Sequence, residues 1–149
     1  MGREGPNKAA GFVIFRRHGE NKEISFLMLQ SSKNNLNWTP PKGHVERGEL
    51  DMEAAYRETE EEAGLTEKQF RVYPNFLAVL EYSFKGKPKT VVYWLAELND
   101  SNAKVRLSHE HIDYKWLSCE EACTKSGYAD MQKVLRNSVT FIESLGDEG

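Results

Sequence analysis

Apolar and polar positions along the chain follow two periods, and the places where the period changes mark the elements. Residues 9–16 and 24–30 are dense in β-branched and aromatic residues and predict two strands, with the polar run 18–22 as a hairpin between them. Residues 31–37 predict a loop. Residues 38–43 contain Pro40 and Pro41 in succession, which predicts irregular structure there. Residues 51–63 predict a helix with Asp51 as its N-cap and Gly64 just past its end. Residues 70–73, 76–84 and 90–97 predict three strands, with 85–89 as the turn before the last of them. A further short strand is expected over 113–117. Ser118 with Glu121 three residues on forms a capping box that opens a short helix. Met131, Val134, Leu135, Val139 and Ile142 recur at a helical period and predict a helix over 129–145. The order β-β-α-β-β-β-β-α-α predicts an α+β fold, with helices packed on the faces of a mixed sheet.

The chain has 149 residues, one domain's worth, with no internal repeat and no linker long enough to divide it. Its net charge of −3 gives no basic face for nucleic acid, and no apolar run is long enough to span a bilayer. Neither nucleic acid nor membrane is expected as a partner. The polar N-terminus lacks an apolar signal core, and Cys119 and Cys123 lie four apart in a predicted helix, poorly placed for a disulfide. These features lead to the expectation of a cytoplasmic protein with free thiols, the nucleus being a second setting. No long apolar stripe is left unassigned, so a monomer is expected.

The charge is unevenly spread, and this changes the picture. Residues 46–67 hold nine acids and two bases, a balance of −7, whereas the rest holds fourteen acids and eighteen bases, a balance of +4. Within the acidic knot Glu58, Glu61 and Glu62 stand at i, i+3 and i+4, on one face of the predicted helix. Glu60, Glu61 and Glu62 also occupy its last turn, where the helix dipole disfavours anions. Arg57 can pair with Glu61 but cannot neutralise the group. A hard divalent cation would relieve this repulsion. Mg²⁺ is the natural one, held by a few carboxylates together with substrate phosphates, with Mn²⁺ as a substitute.

The spacing Gly43-x5-Glu49-x7-Arg57-Glu58-Thr59-x-Glu61-Glu62-x-Gly64-Leu65 resembles the Nudix box, the signature of hydrolases that cleave a nucleoside diphosphate linked to another moiety. Seven positions (Gly43, Glu49, Arg57, Glu58, Glu61, Glu62 and Gly64) match over 23 residues. Thr59 departs from the pattern, which prefers a bulky aliphatic there. The resemblance implies the Nudix α/β/α sandwich around a mixed sheet. It implies metal binding by Glu58, Glu61 and Glu62, with Glu110 as a later carboxylate, and catalytic roles for Arg57, Glu58, Glu62 and Glu110. Outside the box, residues 37–45, 87–97, 107–111 and 121–123 resemble the branch of this family that splits diadenosine tetraphosphate (Ap4A) asymmetrically, which implies ATP and AMP as products.

A tetraphosphate needs cations and its adenines need aromatic platforms. Lys42 at the box entry and Lys85, Lys87 and Lys89 in the expected turn are the candidate phosphate ligands. Read alone, the three-lysine cluster fits a solvated hairpin tip equally well. Tyr82 and Tyr128 are the candidate adenine platforms; on residues alone Tyr82 also reads as core and Tyr128 as loop surface. Glu110 alone reads as an exposed loop charge, and His109 and His111 as surface histidines. Trp38, Trp94 and Trp116 read as core or loop anchors. The nearest rival within the family acts on capped or triphosphorylated RNA 5′ ends and shares the Pro-Lys-Gly entry. A rival of another class is a nucleotide-sensing module without turnover, against which the intact Glu58, Glu61 and Glu62 argue.

Overall fold

The computed structural model describes residues 7–33 and 36–146. Residues 1–6 of the expected polar N-terminus, and Asn34 and Asn35 of the expected loop, lie outside the described residues. Seven strands and three helices follow in the order β1 (Lys8–His18), β2 (Glu23–Ser31), β3 (Trp38–Thr39), β4 (Lys42–His44), α1 (Asp51–Ala63), β5 (Phe70–Phe84), β6 (Lys87–Leu98), β7 (His111–Leu117), α2 (Cys119–Ser126) and α3 (Ala129–Ser144). The sheet runs β3-β2-β1-β6-β5, with β4 on β1 and β7 on β2. Only β1 and β6 pair in parallel; the other pairs are antiparallel. The sheet is therefore mixed, as expected.

Alternation along β1 sorts the core into two layers. Phe12 and Ile14 join Leu27, Val92 and the Ala54, Ala55 and Ala63 face of α1. Val13 and Phe15 join Met28, Tyr93, Leu95 and the apolar sides of α2 and α3, including Cys123, Val134, Leu135 and Ile142. One helix thus covers one face and two cover the other, the expected three-layer sandwich.

The double proline does not exclude strand structure but interrupts it. β7 lines one edge of β2 from Phe26 to Ser31, and β6 lines one edge of β1 from Lys8 to Phe15. The facing edges of β1 and β2 pair with each other only over 15–18 and 23–26. Beyond that they part, β3 pairs with Leu29 and Gln30, and β4 pairs with Ala9 to Gly11. Residues 38–44 are thus a wedge in the fork between two strands. Pro40 and Pro41 are buried at its bend, and the Pro41 carbonyl still accepts from Phe12 N–H at 3.2 Å. The approach is close: a methyl group on Gly11 would overlap the Pro41 carbonyl and Lys42 Cβ.

Three further expectations are corrected. Leu50, not Asp51, is the N-cap of α1; it brings no side-chain acceptor, and Glu53 instead accepts from the Leu50 N–H at 2.9 Å. Asp51 is the first helical residue and pairs with Lys8 at 2.7 Å. The two strands expected over 70–84 are one, β5, bulged between Tyr73 and Leu77 where Pro74 cannot donate to the ladder. The five-residue lysine turn is a two-residue turn, Lys85–Gly86, both residues at positive φ (53° and 78°), as a type I′ hairpin requires.

Thr59 is fully buried on α1, and its hydroxyl has no hydrogen-bond partner among the described residues. Valine has nearly the same shape without the orphaned group. Thr59→Val is expected to stabilise the protein by about 1 kcal/mol, or about 2–4 °C in Tm. A calorimetric scan checks this, and a lower Tm would mean that the hydroxyl has a partner.

Candidate active site

The box residues converge because the wedge lays β4 alongside α1. Gly43 is needed for space: its φ is not positive, but a methyl group there would overlap the Glu58 carboxyl group. Gly64 is needed for conformation, ending α1 at φ 73° with its N–H bonded to the Glu60 carbonyl at 2.9 Å.

Arg57 organises the carboxylates. Its Nε and Nη2 grip both Glu49 oxygens at 2.8 and 3.0 Å. Its Nη1 reaches Glu58 at 3.0 Å and Glu61 at 3.2 Å, and Nη2 also donates to the His44 carbonyl at 2.9 Å. A guanidinium has five N–H donors, so these five bonds use its whole capacity. Arg57 is therefore a positioning residue, not one with a donor to spare for substrate. Glu49 receives the strongest grip, and the Arg57 hydrogen bonds hold it below the usual carboxylate range.

Glu58 and Glu62 differ from Glu49. Burial pushes Glu58 up; Arg57 opposes this, while Glu61 and Glu110 add repulsion. Burial pushes Glu62 up to about 8, against a 3.2 Å hydrogen bond from the Lys42 backbone N–H. Among the described residues the only ion-pair partner of Glu62 is His111, with Nε2 at 3.8 Å, and burial holds that imidazole below its usual range. Glu110 lies near enough to raise both Glu58 and Glu62. Its backbone carbonyl is fixed by the Ser32 N–H and hydroxyl at 2.9 and 3.1 Å. Glu61 is exposed and held by Arg57.

Two half-buried carboxylates that repel each other, with burial outweighing the cations Arg57 and Lys42 beside them, suit a hard divalent ion. Among the described residues no three acidic, His or Cys side chains already converge as a cage. Arg57 and the Lys42 N–H each take one oxygen of the pair, Glu58 Oε2 and Glu62 Oε1, and a carboxylate has acceptor sites beyond these for an ion. A folded-state pKa above the ordinary carboxylate value contributes stability below that value, and the contribution is lost as pH rises toward the folded pKa. His111, shifted the opposite way, acts only below its ordinary value of about 6.5. The metal-free protein is therefore expected to lose Tm between pH 6.5 and 8, and Glu62→Gln to flatten that slope. Added Mg²⁺ should stabilise more at pH 8 than at pH 6.5, because its ligands must be deprotonated. Melting scans in chelator and in Mg²⁺ test this; a flat metal-free profile would contradict it.

Lys42, whose charge acts on Glu62, has a second cation beside it. Lys89 is held below its usual range by burial, with repulsion from Lys42 added, so the two ammonium groups are close. Lys87 lies about 7 Å further along β6 on the same face, and Lys85 is in the turn. The expected four-lysine cradle is thus a close pair, Lys42 and Lys89, with the other two toward the hairpin tip. Tyr82 pairs with Lys89 across β5 and β6, and its neighbours include Tyr128, so both candidate platforms stand beside the lysine pair. Tyr82 is 44% exposed and Tyr128 55% exposed, settling both as surface rather than core.

Two residues of the site do not show in the sequence. His111 is not a surface histidine: it is half-buried against Glu62, with Nδ1 3.2 Å from the Ser108 hydroxyl. His109 is exposed, as expected. Asn37 donates through Nδ2 to the Tyr128 hydroxyl at 3.0 Å. Neither contact is signalled in the sequence, where the strand expected over 113–117 begins after His111 and Asn37 falls in a loop.

The NUDIX domain model matches residues 5–138. The chain belongs to the Nudix family. Within it, the chain is 46% identical over 139 residues to the mouse (Mus musculus) bis(5′-nucleosyl)-tetraphosphatase [asymmetrical], covering 91% of this chain and 95% of that protein. It is 47% identical over 135 residues to the Caenorhabditis elegans protein of the same description, covering 91% and 96%. A crystal structure of a C. elegans Ap4A hydrolase binary complex superposes with a TM-score of 0.88 at 45% identity, covering 93% of this chain and 99% of that one. These likenesses span about nine-tenths of the Nudix chain.

Proposed function

We propose that this Nudix protein is a Mg²⁺-dependent hydrolase that cleaves diadenosine tetraphosphate asymmetrically into ATP and AMP, and so contributes to nucleotide homeostasis in the cytoplasm as a monomer. The observation that carries the reading is one face that holds the carboxylate pair Glu58 and Glu62, the lysine pair Lys42 and Lys89, and the tyrosines Tyr82 and Tyr128. The likeness to asymmetrical tetraphosphatases over nine-tenths of the chain supports it.

Each group has a task that its surroundings fit. Glu58 and Glu62 would hold the metal ion, with Glu61 and Glu110 at its margin. When bound, Mg²⁺ supplies charge neutralisation for the phosphates and a more acidic water. Lys42 and Lys89 would bind phosphate oxygens, whose negative charge relieves the repulsion between the two ammonium groups. Tyr82 and Tyr128 would stack an adenine. Arg57 keeps the carboxylates in place through the five bonds described above. Glu110, fixed through its backbone beside Glu62, is the candidate to accept the proton of the attacking water.

Comparing kcat/KM for Ap4A with that for triphosphorylated RNA in Mg²⁺ tests the reading. A preference for Ap4A with ATP release is expected. Pyrophosphate release from RNA without ATP release from Ap4A would overturn it in favour of the RNA 5′-end reading.

A further inference from the structure

The connection between β2 and β3 touches both halves of the site. Near its start, Ser32 fixes the Glu110 carbonyl. At its end, Asn37 donates to the hydroxyl of Tyr128, a residue 91 positions away. Asn37 is itself anchored: its carbonyl accepts from the Ser31 N–H at 2.9 Å, and the Gln30 side chain donates to the adjoining Leu36 carbonyl at 3.3 Å. Tyr128 is held differently. Its backbone is fixed as the N-cap of α3, with its carbonyl accepting from the Gln132 N–H at 3.0 Å. Its ring belongs to neither apolar core layer and is more than half exposed. Packing therefore leaves the direction of the ring open, and the bond to Asn37 sets it.

We propose that Asn37 is a positioning residue that aims the Tyr128 ring toward the Tyr82 side of the site, so that the base platform is ordered before a nucleotide arrives. The proposal rests on the reading of Tyr128 as an adenine platform. A side chain that is already immobile loses less freedom on binding, which is the source of the expected gain in affinity.

The test is a double-mutant cycle on the full chain, read by isothermal titration. The probes are ADP, which has a base and phosphates, and inorganic tripolyphosphate, which has phosphates alone. Asn37→Ala and Tyr128→Phe are each expected to weaken ADP about three- to tenfold, the effect of losing one net hydrogen bond. The double variant should bind ADP no more weakly than the weaker single variant, since both remove the same bond. Tripolyphosphate binding should not change, and KM for Ap4A should rise with kcat held within about twofold.

Full additivity of the two substitutions would overturn the proposal. So would wild-type ADP affinity in Asn37→Ala while Tyr128→Ala weakens it. A fall in kcat in Asn37→Ala would also overturn it, because it would show the loop loosening around Glu110 rather than a loss of aim. If the unaltered protein binds ADP no better than tripolyphosphate and Tyr128→Ala changes nothing, the platform reading fails, and the proposal with it.

Discussion

Replacing Glu58 by Gln is expected to lower kcat for Ap4A by about 10²–10⁴-fold, the range for removing a positioned acid, base or ligand group, while the protein stays folded. The substitution keeps the shape of a side chain packed against Gly43 and keeps an acceptor for Arg57 Nη1. What it removes is the charge. In the metal-free protein that charge is a burden, since burial and the neighbours Glu61 and Glu110 all disfavour it. Glu58→Gln should therefore melt at the same temperature as the parent or higher in chelator, and should gain less from Mg²⁺. Loss of activity together with gain of metal-free stability is the signature of a residue kept for function. Steady-state kinetics and melting scans on one preparation read both. An unchanged kcat would remove Glu58 from the mechanism.

Gly43→Ala is expected to cost about 10²-fold in kcat, as a displacement of about 1 Å in a catalytic group can do. The added methyl would occupy the place of the Glu58 carboxyl group. Because φ at Gly43 is not positive, alanine meets no backbone strain there, and the obstacle is only the overlap. The Glu58 side chain can swing away, so the fold should survive while the metal-binding geometry does not. The expected pattern is a large loss of activity, a weaker response to Mg²⁺ and a small change in Tm. Full activity would show that Glu58 works from another position.

The box was legible because its logic is local. Carboxylates at i, i+3 and i+4 share a helix face whatever the rest of the chain does, and an acidic last turn without a base marks an unmet need for a cation. Thr59, with its orphaned hydroxyl, was also visible as a departure, though not its consequence. What stayed hidden depends on contacts between segments far apart. Gly43 is visible in the sequence as a box glycine, but only the packed wedge shows its reason, the Glu58 carboxyl group lying against it. Residues 38–43 looked irregular because the fork between β1 and β2 that accepts two short strands is a tertiary feature. The spacing of the three lysines predicts one turn. The register instead separates Lys89, opposite Tyr82, from Lys85 in the turn itself. The burial of His111 and the Asn37 bond to Tyr128 join elements that the sequence holds dozens of residues apart.

The charge distribution of the chain now has a geometry. Lys42 stands beside Glu62 of the acidic knot, Lys89 beside Lys42, and the tyrosines beside Lys89. Each set repels itself, and together they call for a cation and a polyanion in one site.

The most direct test is the product pattern from Ap4A in Mg²⁺, followed by chromatography from the first few per cent of turnover. Equal amounts of ATP and AMP, with no ADP at early times and no turnover in chelator, are the expected result. Two molecules of ADP per substrate, or no cleavage of Ap4A at all, would contradict it.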